Sequence, residues 1–180
     1  MTEFVNAMKA RLPDYAKDIR LNLDAVILRS SLSQSHAAGA ALAAAFAAKS
    51  APIADAIRED ATLDDAHRTA ALTAAALMGM NNVWYPFVEM ADDEDLKAQR
   101  AELRMNAYAS SGGVQKKQFE AYALAASIVG KCHFCVKSHY ELLKKEGLTT
   151  TQLRDIGRIA AVINAAALAI AAESGTPLAA

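Results

Sequence analysis

Alanine fills 42 of the 180 positions, and every quarter of the chain carries its share. Alanine is the strongest helix former, while the β-branched and aromatic residues that strands favour are sparse here. No segment alternates apolar and polar residues with a period of two, so a β-sandwich or a parallel sheet is excluded and the chain reads as all-α. Hydrophobic residues make up 53% and charged residues 22%, enough apolar surface to close a core and too much for a disordered tail. The length suits one domain over residues 1–180, with internal halves at about 35–110 and 111–175.

The helices are punctuated by familiar start and stop signals. Phe4–Leu12 is stopped by Pro13, and Asp14 caps a second helix reaching about Leu28. Ser35 caps an alanine-rich run over His36–Lys49, and Pro52 stands in the first turn of a helix to about Ala61. Asp64 or Asp65 opens a helix to Met78, where Gly79 and Asn81-Asn82 predict a break or kink before Trp84–Met90. A helix over Glu94–Ser110 leads to the Ser110-Ser111-Gly112-Gly113 loop. Lys117–Val129 is broken by Gly130, a helix starts near Cys132 and runs to Glu146 with Gly147 at its end, and Thr149 or Thr150 caps the last long helix, which ends near Gly175-Thr176-Pro177. The final residues are expected to fray. Shifting the chain by 51 residues lays Ala70 on Ala121, Ala74-Ala75 on Ala125-Ala126 and Gly79 on Gly130, a weak repeat in which only the second copy carries cysteines.

Charge and hydropathy exclude other classes. Lys and Arg total 19 against 20 Asp and Glu, so phosphate-backbone binding is not expected and no nucleic-acid partner is implied. The N-terminus shows no basic stretch followed by an apolar run, and the apolar stretches Ala37–Ala48 and Ile159–Ala172 fall short of the ~20 residues of a membrane span. The expectation is a cytoplasmic protein with no membrane association.

The two cysteines, Cys132 and Cys135, are too close together to staple distant segments. In a reducing compartment such a pair is catalytic or metal-binding. A helix turns about 100° per residue, which sets His139 about 40° from Cys135 and about 20° from Cys132, all on one face. A helix N-terminus after Gly130, an imidazole one turn away and the cations Lys131 and Lys137 all favour a thiolate. A sulfenic acid formed on one sulfur would be captured by the other. The helix start favours Cys132 as the more acidic thiol and the histidine spacing favours Cys135; a specific base one turn away decides for Cys135. Glu120, on the preceding helix, reads by position as a surface glutamate. If the helices fold back it instead completes a carboxylate–imidazole–thiol chain.

The pattern Glu120-(11 residues)-Cys132-x-x-Cys135-x-x-x-His139 resembles the alkyl hydroperoxidase D (AhpD) proteins of the carboxymuconolactone-decarboxylase-like superfamily. The stretches Leu12–Asp18, Met78–Val83 and Leu103–Asn106 are similar to the family as well, so the resemblance covers nearly the whole chain. It implies an all-helical AhpD-like fold and an antioxidant peroxidase. By this resemblance Cys135 is the thiol that becomes sulfenic acid, Cys132 is the proton donor and resolving thiol that closes a Cys132–Cys135 disulfide, and His139 with Glu120 forms the proton relay. It also implies a dihydrolipoamide or lipoyl-protein electron donor on a dehydrogenase component, an AhpC-type peroxiredoxin partner and a homotrimer, with no bound cofactor or metal. Some relatives carry histidine directly before the second cysteine. Here that position is Phe134 and the histidine is His133, about 100° away on the helix, so His133 stays outside the catalytic set.

Other readings remain open from the residues alone. Cys132, Cys135, His133 and His139 could bind zinc, although structural zinc sites gather ligands from separated segments. The dithiol could serve as a general thiol–disulfide carrier with little peroxidase activity. His36 and His67 read as ordinary histidines, Asn81-Asn82 with Trp84-Tyr85 as a ligand pocket or, more simply, a helix break with an aromatic anchor, and Asp92–Asp95 as a solvated acidic run.

Overall fold

Ten α-helices and no strand form among residues 2–175, the part of the chain that this computed structural model describes. Helix α1 spans Thr2–Arg11. After Pro13 a short 3₁₀ turn, Asp14–Ala16, leads into α2, Lys17–Leu23, which widens into a π-helical turn over Asp24–Leu28. Asp14 provides no side-chain cap; its carboxylate instead accepts from Arg20 Nη2 at 2.7 Å. Helix α3 is Gln34–Ala47, capped by Ser33 rather than Ser35, because the Ser33 Oγ faces the His36 N–H. Helix α4, Ala51–Glu59, carries Pro52 in its first turn, as expected.

The alanines explain how tightly the bundle closes. Every residue from Ala37 to Ala45 is buried, so α3 has no solvent face in its middle. A Cβ at Gly39 would overlap the Tyr122 ring, so the small residues of α3 let the largest fully buried side chain of the core lie directly on its backbone.

The expected break at Gly79 does not occur. Helix α5 runs unbroken from Asp65 to Ala91, through Gly79, Asn81-Asn82 and Pro86, with Asp64 as its cap accepting from the His67 N–H. A single glycine costs a helix about 1 kcal/mol, which packing of α5 against α3 and α8 offsets. Neither asparagine breaks the helix: Asn81 is buried beside Met105, and Asn82 bonds the Ala126 carbonyl. In the 51-residue register this continuous helix faces a helix–turn–helix. The expected Glu94–Ser110 helix is also corrected: it exists only as α6, Glu94–Ala98, and α7, Asn106–Ala109, with non-helical chain between. Its polar sequence offers no continuous apolar face to bury.

Helices α8, Lys116–Val129, α9, His133–Lys145, and α10, Thr150–Glu173, complete the chain. Helix α8 is the central element and packs on α3, α5, α9 and α10. Helix α10 opens with a Thr149–Gln152 capping box. It is the one helix among the described residues long and apolar enough to cross a membrane by length and composition, longer than its apolar segment alone suggests. Here Leu153, Ile156, Ile159, Ile163 and Ile170 are buried in the core. The fraying expected of the last residues, 176–180, lies outside the described residues.

Candidate active site

The turn between α8 and α9 delivers the cysteines. Gly130 ends α8 with an ordinary right-handed φ of −72°, and Lys131, at φ 56°, makes the left-handed reversal. Glycine is needed at 130 for room: a Cβ there would collide with the Asn82 amide, which donates from Nδ2 to the Ala126 carbonyl at 3.2 Å and clamps the end of α8. Cys132 follows in extended conformation as the N-cap of α9, and its Sγ accepts the Cys135 N–H at 3.2 Å. Cys132 therefore lies just outside the helix and is not on the helical face assumed from its spacing. It reaches Cys135 by capping geometry, and the two sulfurs are joined in a disulfide with Cα atoms 5.3 Å apart. Cys132 is fully buried, and Cys135 retains 3% exposure.

Glu120 is no surface residue: it is 0% exposed, on the face of α8 that meets α9. Its Oε2 lies 2.6 Å from Nδ1 of His139, itself 7% exposed. Its Oε1 accepts a hydrogen bond from the Tyr108 hydroxyl. Burial alone would push the Glu120 carboxyl up. The hydrogen bonds with His139 and Tyr108, with further help from the His139 and Lys116 charges, outweigh it and hold the group below the usual carboxylate range. Burial, then the hydrogen bond to Glu120 and its charge, push the Tyr108 phenol up, so it remains a donor. The other ring nitrogen of His139, Nε2, is 3.1 Å from the Met78 sulfur. With the disulfide closed, the two ring nitrogens of His139 thus face the Glu120 carboxylate and the Met78 thioether.

Cys135, His139 and Tyr108 line one cavity of about 220 Å³ together with Met78, Met105 and Phe134. Asn81, Tyr85 and Ser138 complete the lining, so the walls mix thioethers and aromatic rings with polar groups. Phe134 is held by stacking on Tyr85, ring centroids 4.2 Å apart, and so forms one wall of this cavity. His133 points elsewhere: its side chain is 83% exposed and its Nδ1 lies 3.3 Å from Glu89. His67 bonds the Asp64 carboxylate at 2.8 Å, far in sequence from any cysteine. No group of three or more His, Cys, Asp and Glu placed to hold a metal occurs among the described residues. The site thus unites the four residues singled out from the sequence, Cys132, Cys135, His139 and Glu120. It adds Tyr108, Met78 and Asn82, which the sequence reading left out. Two signals were available: Met78 and Asn82 lie in a stretch resembling the AhpD proteins, and Asn81-Asn82 with Trp84-Tyr85 also reads as a ligand pocket, of which Asn81 and Tyr85 line this cavity; nothing local marks Tyr108.

Comparison with known proteins agrees with this geometry. The profile of the carboxymuconolactone decarboxylase family matches residues 94–174, a span that holds all four residues. A protein named alkyl hydroperoxide reductase AhpD from Rhodospirillum centenum is 46% identical over 172 residues, covering 94% of this chain and 92% of its own. One of the same name from Maricaulis maris is 42% identical over 172 residues, covering 94% and 99%. Another from a Bradyrhizobium species is 40% identical over 179 residues, covering 98% of both chains.

Proposed function

The chain belongs to the AhpD family of alkyl hydroperoxide reductases, and from that premise we propose that it reduces alkyl hydroperoxides by a Cys135/Cys132 dithiol cycle. In the reduced protein, His139 takes the Cys135 thiol proton. The Cys135 thiolate attacks the distal peroxide oxygen, the O–O bond breaks, and the alkoxide leaves as the alcohol after taking up a proton. Cys135 is then a sulfenic acid. Cys132 attacks it, water leaves and the disulfide closes.

Exposure and capping support different tasks for the two sulfurs. Cys135 lines the cavity, so it is the sulfur that peroxide and donor can reach. A dihydrolipoyl thiolate attacking Cys135 would expel Cys132, whose thiolate is stabilised by the Cys135 N–H and the α9 N-terminus. The second lipoyl thiol then releases Cys135. Two electrons have passed from the dihydrolipoyl group to the peroxide, and the protein returns to its dithiol form.

The donor is a dihydrolipoamide or lipoylated dehydrogenase component, the second acceptor an AhpC-type peroxiredoxin, the assembly a homotrimer and the compartment the cytoplasm. The first three assignments rest on resemblance to the family, and the compartment on the charge and hydropathy of the sequence. The catalytic reading rests on one observation: the cavity that exposes Cys135 also holds the imidazole bonded to buried Glu120. Turnover of an alkyl hydroperoxide with reduced lipoamide tests it. Cys135→Ser should abolish turnover, and Cys132→Ser should leave a sulfenic acid that a dimedone probe captures on Cys135. Full activity in the Cys135→Ser protein would refute the assignment.

A further inference from the structure

Tyr108 is bound into the site by the same carboxylate that holds His139. We infer that Tyr108 is a positioning residue of the proton relay: its hydroxyl keeps Glu120 ionised and thereby keeps the His139 Nε2 able to accept the Cys135 proton. This inference rests on the dithiol-cycle reading.

Glu120 has no exposed surface, so no water shares its charge, and a buried carboxylate with a single partner tends to take up a proton. An ionised Glu120 only accepts, so a neutral His139 ring places its one proton on Nδ1 toward Oε2 and keeps a free Nε2 lone pair for the thiol proton. A Glu120 that has taken up a further proton donates it to Nδ1, and the neutral ring then carries its own proton on Nε2 and cannot accept another. The Tyr108 hydroxyl donates to Oε1, the oxygen His139 does not use, and so favours the ionised carboxyl and the productive tautomer.

The other charged and titratable groups around this carboxylate do not duplicate the role. His139 comes from α9 and is the group being controlled. Lys116, on α8 itself, acts on Glu120 only through its charge. From α5, Met78 meets the far nitrogen of the ring and offers only an acceptor. Tyr108 is held in place by an edge contact with Phe119, ring centroids 5.7 Å apart, which does not involve its hydroxyl. The relay is therefore a chain of three proton-holding groups, Tyr108–Glu120–His139, along one wall of the peroxide cavity.

The test uses the full chain in its reduced state and four proteins: wild type, Tyr108→Phe, Glu120→Gln and the double variant. Two quantities are read at neutral pH: the rate of Cys135 alkylation by iodoacetamide, and the infrared carbonyl stretch of a protonated carboxyl. Tyr108→Phe should slow alkylation about three- to tenfold, as expected for removing one hydrogen bond from a buried ionised group. It should also bring out a protonated-carboxyl band that wild type lacks and the double variant loses. Adding Tyr108→Phe to Glu120→Gln should change the rate by less than about twofold. A loss of packing alone would slow both backgrounds equally and create no such band.

If Glu120→Gln leaves alkylation unchanged, the relay reading itself fails and this inference with it. If Glu120→Gln slows alkylation while Tyr108→Phe matches wild type and shows no band, only the role of Tyr108 is overturned. Should Tyr108→Phe not fold, proton NMR of the other proteins decides. A hydrogen-bonded Tyr108 hydroxyl resonance present in wild type and lost in Glu120→Gln supports the chain, and its absence from wild type overturns it.

Discussion

At the scale of single residues, buried polar groups in this protein fall into two kinds. Glu120 is fully enclosed but has partners for both oxygens, so its charge can be kept at the site where a proton is to move. Tyr122 is equally enclosed on the same helix, yet its hydroxyl has no hydrogen-bond partner among the described residues. Burial, with the Asp64 charge adding to it, pushes its phenol up, so the hydroxyl stays neutral and its cost is that of an unmet donor. The ring does the packing, seated on Gly39 where any side chain would overlap it. Tyr122→Phe removes the unpartnered oxygen and keeps the ring. It should therefore be neutral or stabilising by about 1 kcal/mol in urea titrations. Gly39→Ala, which drives a methyl into that ring, should destabilise by about 1–3 kcal/mol in the same assay. If Tyr122→Phe destabilises by more than about 1 kcal/mol, the hydroxyl has a partner after all.

At the scale of elements, the site is made by the way α5, α8 and α9 meet. Asn82 of α5 holds the last turn of α8, and the absence of a side chain at Gly130 is what lets it approach. Gly130→Ala has an allowed backbone, since its φ of −72° suits any residue, so its cost comes from the collision with Asn82. The substitution should destabilise by about 1–3 kcal/mol, and Asn82→Ala alone by about 1 kcal/mol for the lost hydrogen bond. The double variant should cost less than the sum of the two, because truncating Asn82 makes room for the new methyl. Additive costs in thermal or urea unfolding would show that Gly130 is needed for another reason. The same junction marks how far the sequence could be read. That Cys135 and His139 open on one cavity was legible because residues four apart lie on the same face of a helix. The capping role of Cys132 and the left-handed Lys131 were not, because the break at Gly130 showed where α8 ends but not how the chain reverses. The break expected at Gly79 failed because local propensity was overridden by two neighbouring helices that cover α5. The burial of Glu120 was hidden for a related reason: its polar neighbours Lys116, Lys117 and Gln118 describe the start of α8, while its exposure is set by the helices packed on the far side. Tyr108 lies in a four-residue helix whose position depends wholly on tertiary contacts, so no periodicity could point to it.

At the scale of the whole molecule, the all-helical class was legible from alanine content alone, but the ties that hold distant segments together were not. The strongest of these is Asp155 in the first turns of α10, only 2% exposed. Its carboxylate accepts from the Ser31 N–H at 2.9 Å and the Ser31 hydroxyl at 2.8 Å, 124 residues away, and from Arg154 and Arg158 at 3.1 Å each. The tie joins the end of the α2 segment to the last long helix, closing the bundle across most of the chain. Burial alone would raise the Asp155 carboxyl, but these hydrogen bonds outweigh it and lower the group to about 2. A carboxyl depressed in the folded state stabilises the fold fully above its unfolded value and loses that contribution as pH falls through its folded value. Here the window runs from about pH 4 down to about pH 2, and the contribution lost across it is about 2 kcal/mol. Other depressed carboxyls, Glu120 among them, add to the acid limb, so the term belonging to Asp155 is isolated by difference. Asp155→Asn should be less stable than wild type by about 2–4 kcal/mol at pH 6, because the two arginines and Ser31 lose their charged acceptor. The gap between the two proteins should narrow by about 2 kcal/mol between pH 4 and pH 2, read from urea midpoints and slopes at each pH. A gap that stays constant over that interval would mean that Asp155 titrates in the folded protein as it does in the unfolded chain, and that packing rather than the charged tie joins the two ends of the bundle.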